Sequence, residues 1–239
     1  MSLQLSTAFT DGLRRVVTKT GGIVFGLYLV FQTVNTVLIN TTSAAILPAE
    51  AAGEFGLTVP LPAAVAGGLL LGSYLALMML FVVIARAFAR PLQELSTFPS
   101  DLYSRRIGRA TLSMIGASII VFISVTVGFL FLIVPGVFLS LCFLLYWYAV
   151  AVEDRGAIES LRRSWDLSRG NRLKLLFVFG VLAALGVVTG IIGSVGELAG
   201  VPAVGDIVAI TVGSLMGLVY QGILASTYLQ LVDGGSNPL

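Results

Sequence analysis

The sequence predicts an all-α integral membrane bundle of six transmembrane helices, accompanied by short interfacial helices. The composition is the first reason, because 57% of the residues are hydrophobic, only 11% are charged and the mean hydropathy is +0.99. An ordinary soluble domain is about a quarter charged. The second reason is that long uncharged stretches alternate with short charged segments, and the third is that arginine and lysine occur in only some of those segments. We therefore predict one membrane domain over residues 1–239.

Four uncharged stretches have the length of a single crossing. A spanning helix needs about 20 mostly apolar residues, since its backbone must satisfy its own hydrogen bonds in hydrocarbon. We predict the first helix over residues 22–39, the second over 63–85, the fifth over 175–195 and the sixth over 207–231.

A longer stretch, residues 110–152, is about twice the length of one span. It contains Pro135 and Gly136 near its middle, and proline interrupts a helix because it lacks the backbone N–H. We therefore predict a tight helical hairpin, with helix three before the break and helix four over residues 137–152. The alternatives are one long kinked helix and a re-entrant segment.

The positions of the basic residues give an independent test of the hairpin. Cytoplasmic loops collect lysine and arginine, and Arg105 and Arg109 precede the long stretch while Arg155 and Arg162 follow it. An even number of crossings must lie between them, which places all 14 basic residues and both termini in the cytoplasm of a multi-pass cell-membrane protein. The outer side then carries only Glu50, Glu54, Glu197 and Asp206.

Two charged segments are predicted to be interfacial and amphipathic. Residues 1–20 place apolar side chains at helical spacing beside basic ones, and residues 154–170 form a cytoplasmic helix with Ile158, Leu161 and Trp165 on one face. The apolar residues of the first segment are Leu5, Phe9, Leu13, Val16 and Val17. Between helices two and three, Pro91 and Pro99 exclude a continuous helix.

The second of these segments supplies the candidate binding residues. Its side chains could bind anionic lipid headgroups or a soluble protein partner, and the alternative is an ordinary solvated loop of the positive-inside kind. The candidates are Arg155, Arg162, Arg163, Trp165 and Arg169.

Polar side chains inside the spans have two interpretations. They could line a polar cavity, or they could form hydrogen bonds between helices, which is the commoner role of such amides in bundles. The residues are Gln32, Asn35, Tyr220 and Gln221. Tyr146, Trp147 and Tyr148 are predicted to anchor helix four at the membrane interface, since aromatic residues commonly form such belts.

Small residues predict where helices approach closely. Glycines four residues apart occur on helices two, five and six, and such spacing lets backbones approach. The pairs are Gly68 and Gly72, Gly186 and Gly190, and Gly213 and Gly217. Asn40-Thr41-Thr42 matches a glycosylation acceptor, which we expect to be unused because it lies against the end of the first span.

Catalytic and metal-binding residues are scarce. The sequence has no histidine and a single cysteine, Cys142, which excludes a disulfide framework and a Cys/His metal site. No acidic residue lies centrally in a predicted span, and we find no paired acid and base. We predict a non-enzymatic module without cofactors that contacts the bilayer, with a protein partner or homo-oligomer as a further possibility and no role for nucleic acid. The alternative is a transporter or channel for a small neutral solute.

Three motifs in the second half of the chain resemble a known family. They are Ile133-Val134-Pro135-Gly136-Val137, then Val152-Glu153-Asp154-Arg155-Gly156, then Leu161-Arg162-Arg163-Ser164-Trp165 with Arg169-Gly170-Asn171. The order resembles an uncharacterised multispanning family that is similar to the membrane domain of some glycerophosphodiester phosphodiesterases. Ser160 departs from the expected alanine. The resemblance implies a membrane module and does not imply hydrolysis of glycerophosphodiesters, since the sequence shows no phosphodiesterase catalytic domain.

Overall fold

The structure, a computed structural model, describes residues 3–47 and 55–235, and this part of the chain is helical apart from short connections. No strand occurs among those residues. The α-helices are α1 (Leu5–Val16), α2 (Lys19–Ile46), α3 (Ala63–Phe88), α4 (Asp101–Ser104), α5 (Ile107–Phe131), α6 (Ile133–Cys142), α7 (Tyr146–Glu153), α8 (Ala157–Ser168), α9 (Arg172–Leu198) and α10 (Pro202–Gly235). A 3₁₀ helix covers Leu92–Ser96 between α3 and α4.

Within the described ranges, six helical segments are long and apolar enough to cross a membrane. Helices α2, α3, α5, α9 and α10 each supply one, and α6 and α7 together supply the sixth, Ile133–Glu153. The predicted fold class is confirmed, and each predicted single span lies inside one of these helices. The interrupted segment after Pro91 is also confirmed, because only the 3₁₀ helix and the four residues of α4 are helical there.

The chain divides into two compact units, and the division falls inside four of the long helices. One unit contains the residues up to Gly22, Met78–Val181 and the residues from Val219. It holds all 14 arginines and lysines, and we call it the basic unit. The other, Ile23–Leu77 with Leu182–Leu218, has acidic residues as its only charged ones, and we call it the acidic unit. Two of those acids, Glu50 and Glu54, lie outside the described residues.

The predicted hairpin is present, with its turn slightly earlier than expected. Helix α5 ends at Phe131, Leu132 is extended and α6 begins at Ile133. Pro135 therefore lies in the first turn of α6, where its missing N–H costs no intrahelical hydrogen bond. The tip is apolar and uncovered, since Leu130, Phe131, Leu132, Ile133 and Val134 expose 69–80% of their surfaces.

Helix four is discontinuous, which the sequence did not predict. It is interrupted between Cys142 and Tyr146, where the regular helical hydrogen bonds are lost. Ser164 of α8 bridges this break, because its hydroxyl donates to the Cys142 carbonyl at 2.8 Å and accepts from the Leu145 N–H at 3.1 Å. Helix α8, which the sequence predicts to be cytoplasmic, thus forms hydrogen bonds with the backbone of the candidate span Ile133–Glu153.

The predicted N-terminal helix forms and packs against α10. Its buried side consists of Ala8, Gly12 and Arg15. A Cβ added to Gly12 would lie 2.8 Å from the Ile223 Cα, so the two helices are in backbone contact. Leu13 and Val17 of the predicted apolar stripe remain exposed. Their contact with the inner leaflet stays a prediction.

The glycine prediction is correct for one pair of three. A Cβ at Gly213 would lie 3.1 Å from the Thr189 side chain, and one at Gly217 would lie 2.6 Å from the Tyr28 ring. The other four positions face open space, so the expected close crossings at Gly68, Gly72, Gly186 and Gly190 are wrong. Spacing alone does not tell which side of a helix its neighbour occupies.

The asparagine of the glycosylation motif is engaged within the acidic unit. Asn40 donates its amide to Asp206 Oδ2 at 2.7 Å, and the Thr41 hydroxyl accepts from the Val59 N–H at 3.0 Å. Asp206 Oδ2 also accepts from the Leu57 N–H at 2.8 Å. These contacts support the expectation that the motif is unused.

The Ser164 bridge generates the first testable prediction. Ser164→Ala should lower the free energy of unfolding by about 1–3 kcal/mol, because it leaves the Cys142 carbonyl and the Leu145 N–H without their partner. The measurement is thermal unfolding of the purified protein in detergent.

Two buried serines on the same helix provide matched controls for this experiment. Ser160 and Ser168 donate only to carbonyls of α8 itself, Ala157 O and Trp165 O. Ser160→Ala and Ser168→Ala should therefore change stability by about 0.5 kcal/mol or less. Equal destabilisation by all three substitutions would contradict the bridging role.

The α1 contact generates the second prediction. Gly12→Leu should cost about 1–3 kcal/mol of stability, because the new side chain must enter space occupied by the α10 backbone. Gly180→Leu is the control, since a Cβ at Gly180 meets nothing within 4 Å. Indistinguishable melting temperatures for the two variants would show that α1 is not held against α10.

Candidate functional site

The charged residues of the basic unit form two networks, and the first is centred on Arg86. This arginine lies in the last turn of α3 and is only 6% exposed. Its Nε donates to the Ala151 carbonyl at 2.8 Å, and Nη1 donates to the carbonyls of Leu102 and Arg105 at 3.3 and 2.6 Å. Nη2 lies 3.0 Å from Asp154 Oδ1. The guanidinium thus joins α3, α7 and the segment around α4.

Asp154 accepts a second arginine on its other oxygen. Arg105 Nη2 lies 2.9 Å from Asp154 Oδ2. Asp154 has a positive φ of 51°, a conformation that aspartate tolerates better than most residues. The sharp turn directs the chain from the end of α7 into α8 and leaves the carboxylate between two guanidinium groups.

The second network is centred on Glu153. Its Oε1 accepts from Arg163 Nε at 3.0 Å and from the Tyr228 hydroxyl at 2.5 Å, while Oε2 pairs with Arg155. The hydrogen bond to Glu153 raises the pKa of Arg155 above its ordinary value. The Glu153 carboxylate thus partly neutralises the charges of both Arg155 and Arg163.

Tyrosines continue the second network into the interior of the unit. Tyr148 stacks on Tyr228 with ring centroids 5.4 Å apart, and its hydroxyl donates to the Gln221 carbonyl at 2.7 Å. Tyr148 is fully buried and Tyr146 is 4% exposed. The prediction that these two tyrosines anchor the helix in the interface is therefore wrong. The run Tyr146-Trp147-Tyr148 does not by itself indicate on which side of its helix the neighbouring helices lie.

The structure distributes the predicted binding residues among different environments. Arg155 and Arg163 form ion pairs with Glu153. Trp165 packs edge to face on Phe138, with ring centroids 5.8 Å apart. Arg169 is exposed and lies 3.9 Å from Asp166. Arg162 is also exposed, and its side chain has no hydrogen bond or ion pair with a described residue. Their role in lipid or partner binding stays a prediction.

The predicted cavity residues fall in both units. In the acidic unit, Asn35 accepts from the Ser73 hydroxyl and donates to the Phe31 carbonyl, both at 3.0 Å, while Gln32 is half-buried. In the basic unit, Gln221 accepts from Tyr148, and Tyr220 is half-buried. Asn35 and Gln221 thus form hydrogen bonds between helices, which was the favoured interpretation.

Two arginines at the start of α5 share the unpaired state of Arg162. The side chains of Arg106 and Arg109 are exposed and have no ion pair or hydrogen bond with a described residue. They border a narrow crevice together with Ser113, Asp154 and Arg155. We call Arg106, Arg109 and Arg155 the crevice arginines. Asp154, the acidic residue in this crevice, is already shared by Arg86 and Arg105.

The backbone beside the crevice adds positive potential. No side chain caps the start of α5, and its first regular hydrogen bond from this end is donated by Ala110 to Arg106 O at 3.1 Å. The preceding N–H groups of a helix carry partial positive charge and favour anions. The crevice arginines therefore lie in a region that attracts negative charge.

Buried arginines are the feature that sequence reasoning missed. Arg86 and Arg15 were both interpreted as ordinary basic residues of the cytoplasmic side, yet each is buried and bound to carbonyls. Arg15 donates to the carbonyls of Phe88 and Arg90 at the end of α3, and burial lowers the pKa of Arg15. The position of Arg86 within the apolar run 81–88 was the available signal.

Groups that could hold a metal ion are not found among the described residues, where no cluster of three His, Cys, Asp or Glu side chains occurs. The chemistry available at this surface is therefore that of guanidinium groups, carboxylates and backbone N–H groups.

The Arg86 network generates the third prediction. Arg86→Gln should lower the free energy of unfolding by about 3–5 kcal/mol, because Asp154 loses a buried partner and three carbonyls lose their donors. Arg162→Gln is the matched control and should change stability by about 0.5 kcal/mol or less. Thermal unfolding in detergent measures both, and equal stability of the two variants would contradict the structural role of Arg86.

Comparison with known proteins places this arrangement in a family without an assigned role. No curated protein and no solved structure matches the chain. One family model, described as "Domain of unknown function (DUF7847)", matches residues 3–231. The match covers nearly the whole sequence, including both arginine networks, five complete candidate spans and most of the sixth. The chain therefore belongs to the DUF7847 family, a family of unknown function whose member here is a multispanning helical membrane protein.

Proposed function

We propose that the protein is a non-enzymatic module of the cell membrane whose basic cytoplasmic surface binds anionic lipid headgroups. The single observation that carries the proposal is the unpaired state of Arg106 and Arg109 beside the crevice. Both termini and all basic residues lie in the cytoplasm in this proposal, in keeping with the positive-inside rule.

The distribution of partners separates structural arginines from binding arginines. Arg15, Arg86, Arg155 and Arg163 form contacts that hold helices and loops together. Arg106 and Arg109 form none with the described residues. Their charge is available to a ligand, and the adjacent helix start favours the same sign of ligand.

A lipid phosphate fits the position of these residues. They lie at the end of a spanning helix, Ile107–Phe131, where headgroups meet the protein. Arginine binds phosphate through paired N–H donors. Each basic residue close to an anionic membrane surface contributes about 1 kcal/mol of binding.

The motif resemblance agrees with a role as a membrane module. The motifs within residues 133–171 predict a resemblance to the membrane domain of some glycerophosphodiester phosphodiesterases, and we propose that the chain acts as a membrane module of that kind. The alternative, a carrier for a small neutral solute, depended on a polar cavity. Asn35 and Gln221 instead form hydrogen bonds within the protein.

The fourth prediction tests lipid binding at the crevice. Arg106→Gln/Arg109→Gln should weaken retention of phosphatidylglycerol roughly thirtyfold, since two contributions of about 1 kcal/mol are lost. Native mass spectrometry of protein released from nanodiscs of phosphatidylglycerol or phosphatidylcholine counts the retained lipids.

The control removes the same charge elsewhere in the basic unit. Arg14 lies 3.7 Å from Asp11 on its own helix, and Lys174 donates to the Leu3 carbonyl at 2.6 Å. Arg14→Gln/Lys174→Gln should therefore change lipid retention little. Equal losses in the two double variants, or no preference for phosphatidylglycerol in the parent protein, would reject the proposal. Capture of an acidic soluble protein without any lipid preference would also reject it, in favour of a protein ligand.

A further inference from the structure

A second concave site lies in the basic unit. It is a cleft of about 250 Å³ that opens to solvent between the end of α3, the segment Leu92–Ser104 and the end of α7. Its apolar lining residues are Ala89, Leu102 and Val152. Its charged lining residues are Arg86, Arg90, Glu94, Asp101 and Arg105.

The cleft has unused donors. Arg105 uses one nitrogen, Nη2, for Asp154 and the Val152 carbonyl, and its other two nitrogens have no partner among the described residues. Arg90 is held by Glu94 and Thr97, with Nη1 at 2.9 Å from the Thr97 carbonyl and Nη2 at 3.1 Å from its hydroxyl. Each terminal nitrogen of Arg90 carries a second N–H. An anionic group in the cleft can therefore accept from both arginines.

The cleft also has unused acceptors. Asp101 is exposed and its carboxylate forms no hydrogen bond or ion pair with a described residue. Glu94 contacts Arg90 through Oε2 at 3.4 Å, and its Oε1 has no partner among the described residues. A cationic donor in the cleft can be bound by these oxygens.

The charges of the cleft balance. Arg86, Arg90 and Arg105 contribute three positive charges, and Glu94 and Asp101 contribute two negative ones. Asp154, which pairs with Arg86 and Arg105, supplies the third. A purely anionic ligand gains little net attraction from such a site, whereas a ligand with both signs of charge gains from both sets of groups.

We propose that this cleft binds an aminophospholipid headgroup, in which a phosphate and a primary ammonium belong to one small group. The phosphate would be held by Arg90 and Arg105 and the ammonium by Asp101 and Glu94. The cleft lies at the end of the spanning helix Ala63–Phe88, the depth at which headgroups are found. A primary ammonium has three N–H donors for the carboxylates. The methylated ammonium of phosphatidylcholine has none, so the cleft distinguishes the two headgroups.

This inference goes beyond the proposed function, because it concerns different residues and a different lipid class. The crevice arginines are not in the cleft lining. A protein that loses phosphatidylglycerol binding through Arg106 and Arg109 should keep its preference for phosphatidylethanolamine, and the converse holds for the cleft variants. Failure of one proposal is thus separable from failure of the other.

The fifth prediction measures headgroup preference. Parent protein in nanodiscs of equal parts phosphatidylethanolamine and phosphatidylcholine with the same acyl chains should retain phosphatidylethanolamine preferentially on release into native mass spectrometry. Asp101→Asn should reduce that preference about tenfold, which corresponds to one charge-assisted hydrogen bond. The variant is chosen because the Asp101 carboxylate forms no hydrogen bond or ion pair with a described residue.

Two further variants complete the test. Arg105→Gln should weaken retention of both lipids, since both carry the phosphate. Asp166→Asn on the exposed face of α8 is the matched control and should leave the preference unchanged, because Asp166 lies 3.9 Å from Arg169 and outside the cleft. Equal retention of the two lipids by the parent protein, or an undiminished preference in Asp101→Asn, would overturn the proposal.

A soluble headgroup distinguishes the source of the ligand. Glycerophosphoethanolamine should compete for the cleft if the headgroup alone is recognised, with glycerophosphocholine as the inactive comparison. Competition supports the proposal and extends it to the free compound. Absence of competition together with the lipid preference supports it for the membrane lipid alone, and absence of both overturns it.

Discussion

A guanidinium group buried at the end of a membrane-spanning helix must be surrounded by acceptors, and this requirement organises the whole basic unit. Arg86 obtains them from carbonyls on three segments and from Asp154. Arg15 obtains them from the carbonyl of Phe88, the last residue of α3, and from the carbonyl of Arg90 just beyond it. The segment between α3 and α5 must fold back to bring its carbonyls to Arg86. The two buried arginines, Arg15 and Arg86, therefore determine how the segments that carry the charged surface are arranged.

The same requirement explains why only some basic residues are available for binding. A charge that holds helices together is neutralised by the contacts that it makes, as Glu153 does for Arg155 and Arg163. Arg106 and Arg109 have no acceptor among the described residues, and Arg90 and Arg105 keep unused N–H donors in the charge-balanced cleft. The protein can thus present two surfaces with different charge character from one set of arginines. Arg105 belongs to both groups, because it pairs with Asp154 and also lines the cleft.

Hydropathy and charge predicted the number and order of the spanning segments, because both depend on composition along the chain and hardly on packing. The hairpin was predicted from length and from Pro135, although its turn lies at Leu132. Contacts between helices could not be predicted in the same way. Gly186 and Gly190 have the spacing of a crossing and face open space, whereas Gly12 lies against α10 without a partner glycine four residues away. The break before Tyr146 was also missed, because it depends on a hydroxyl nineteen residues later in the chain.

The uncovered tip of the hairpin has a consequence for how the chain would be mapped from outside. Phe129 to Pro135 offers no amine, thiol, carboxylate or hydroxyl. Water-soluble labelling reagents and proteases that cut at charged residues therefore find no target in this turn. Labels placed at Arg109 and Arg155 report only the two flanks of the hairpin, and the turn between them stays undetected. Only an inserted tag or a cysteine introduced at the tip makes the turn visible to such methods.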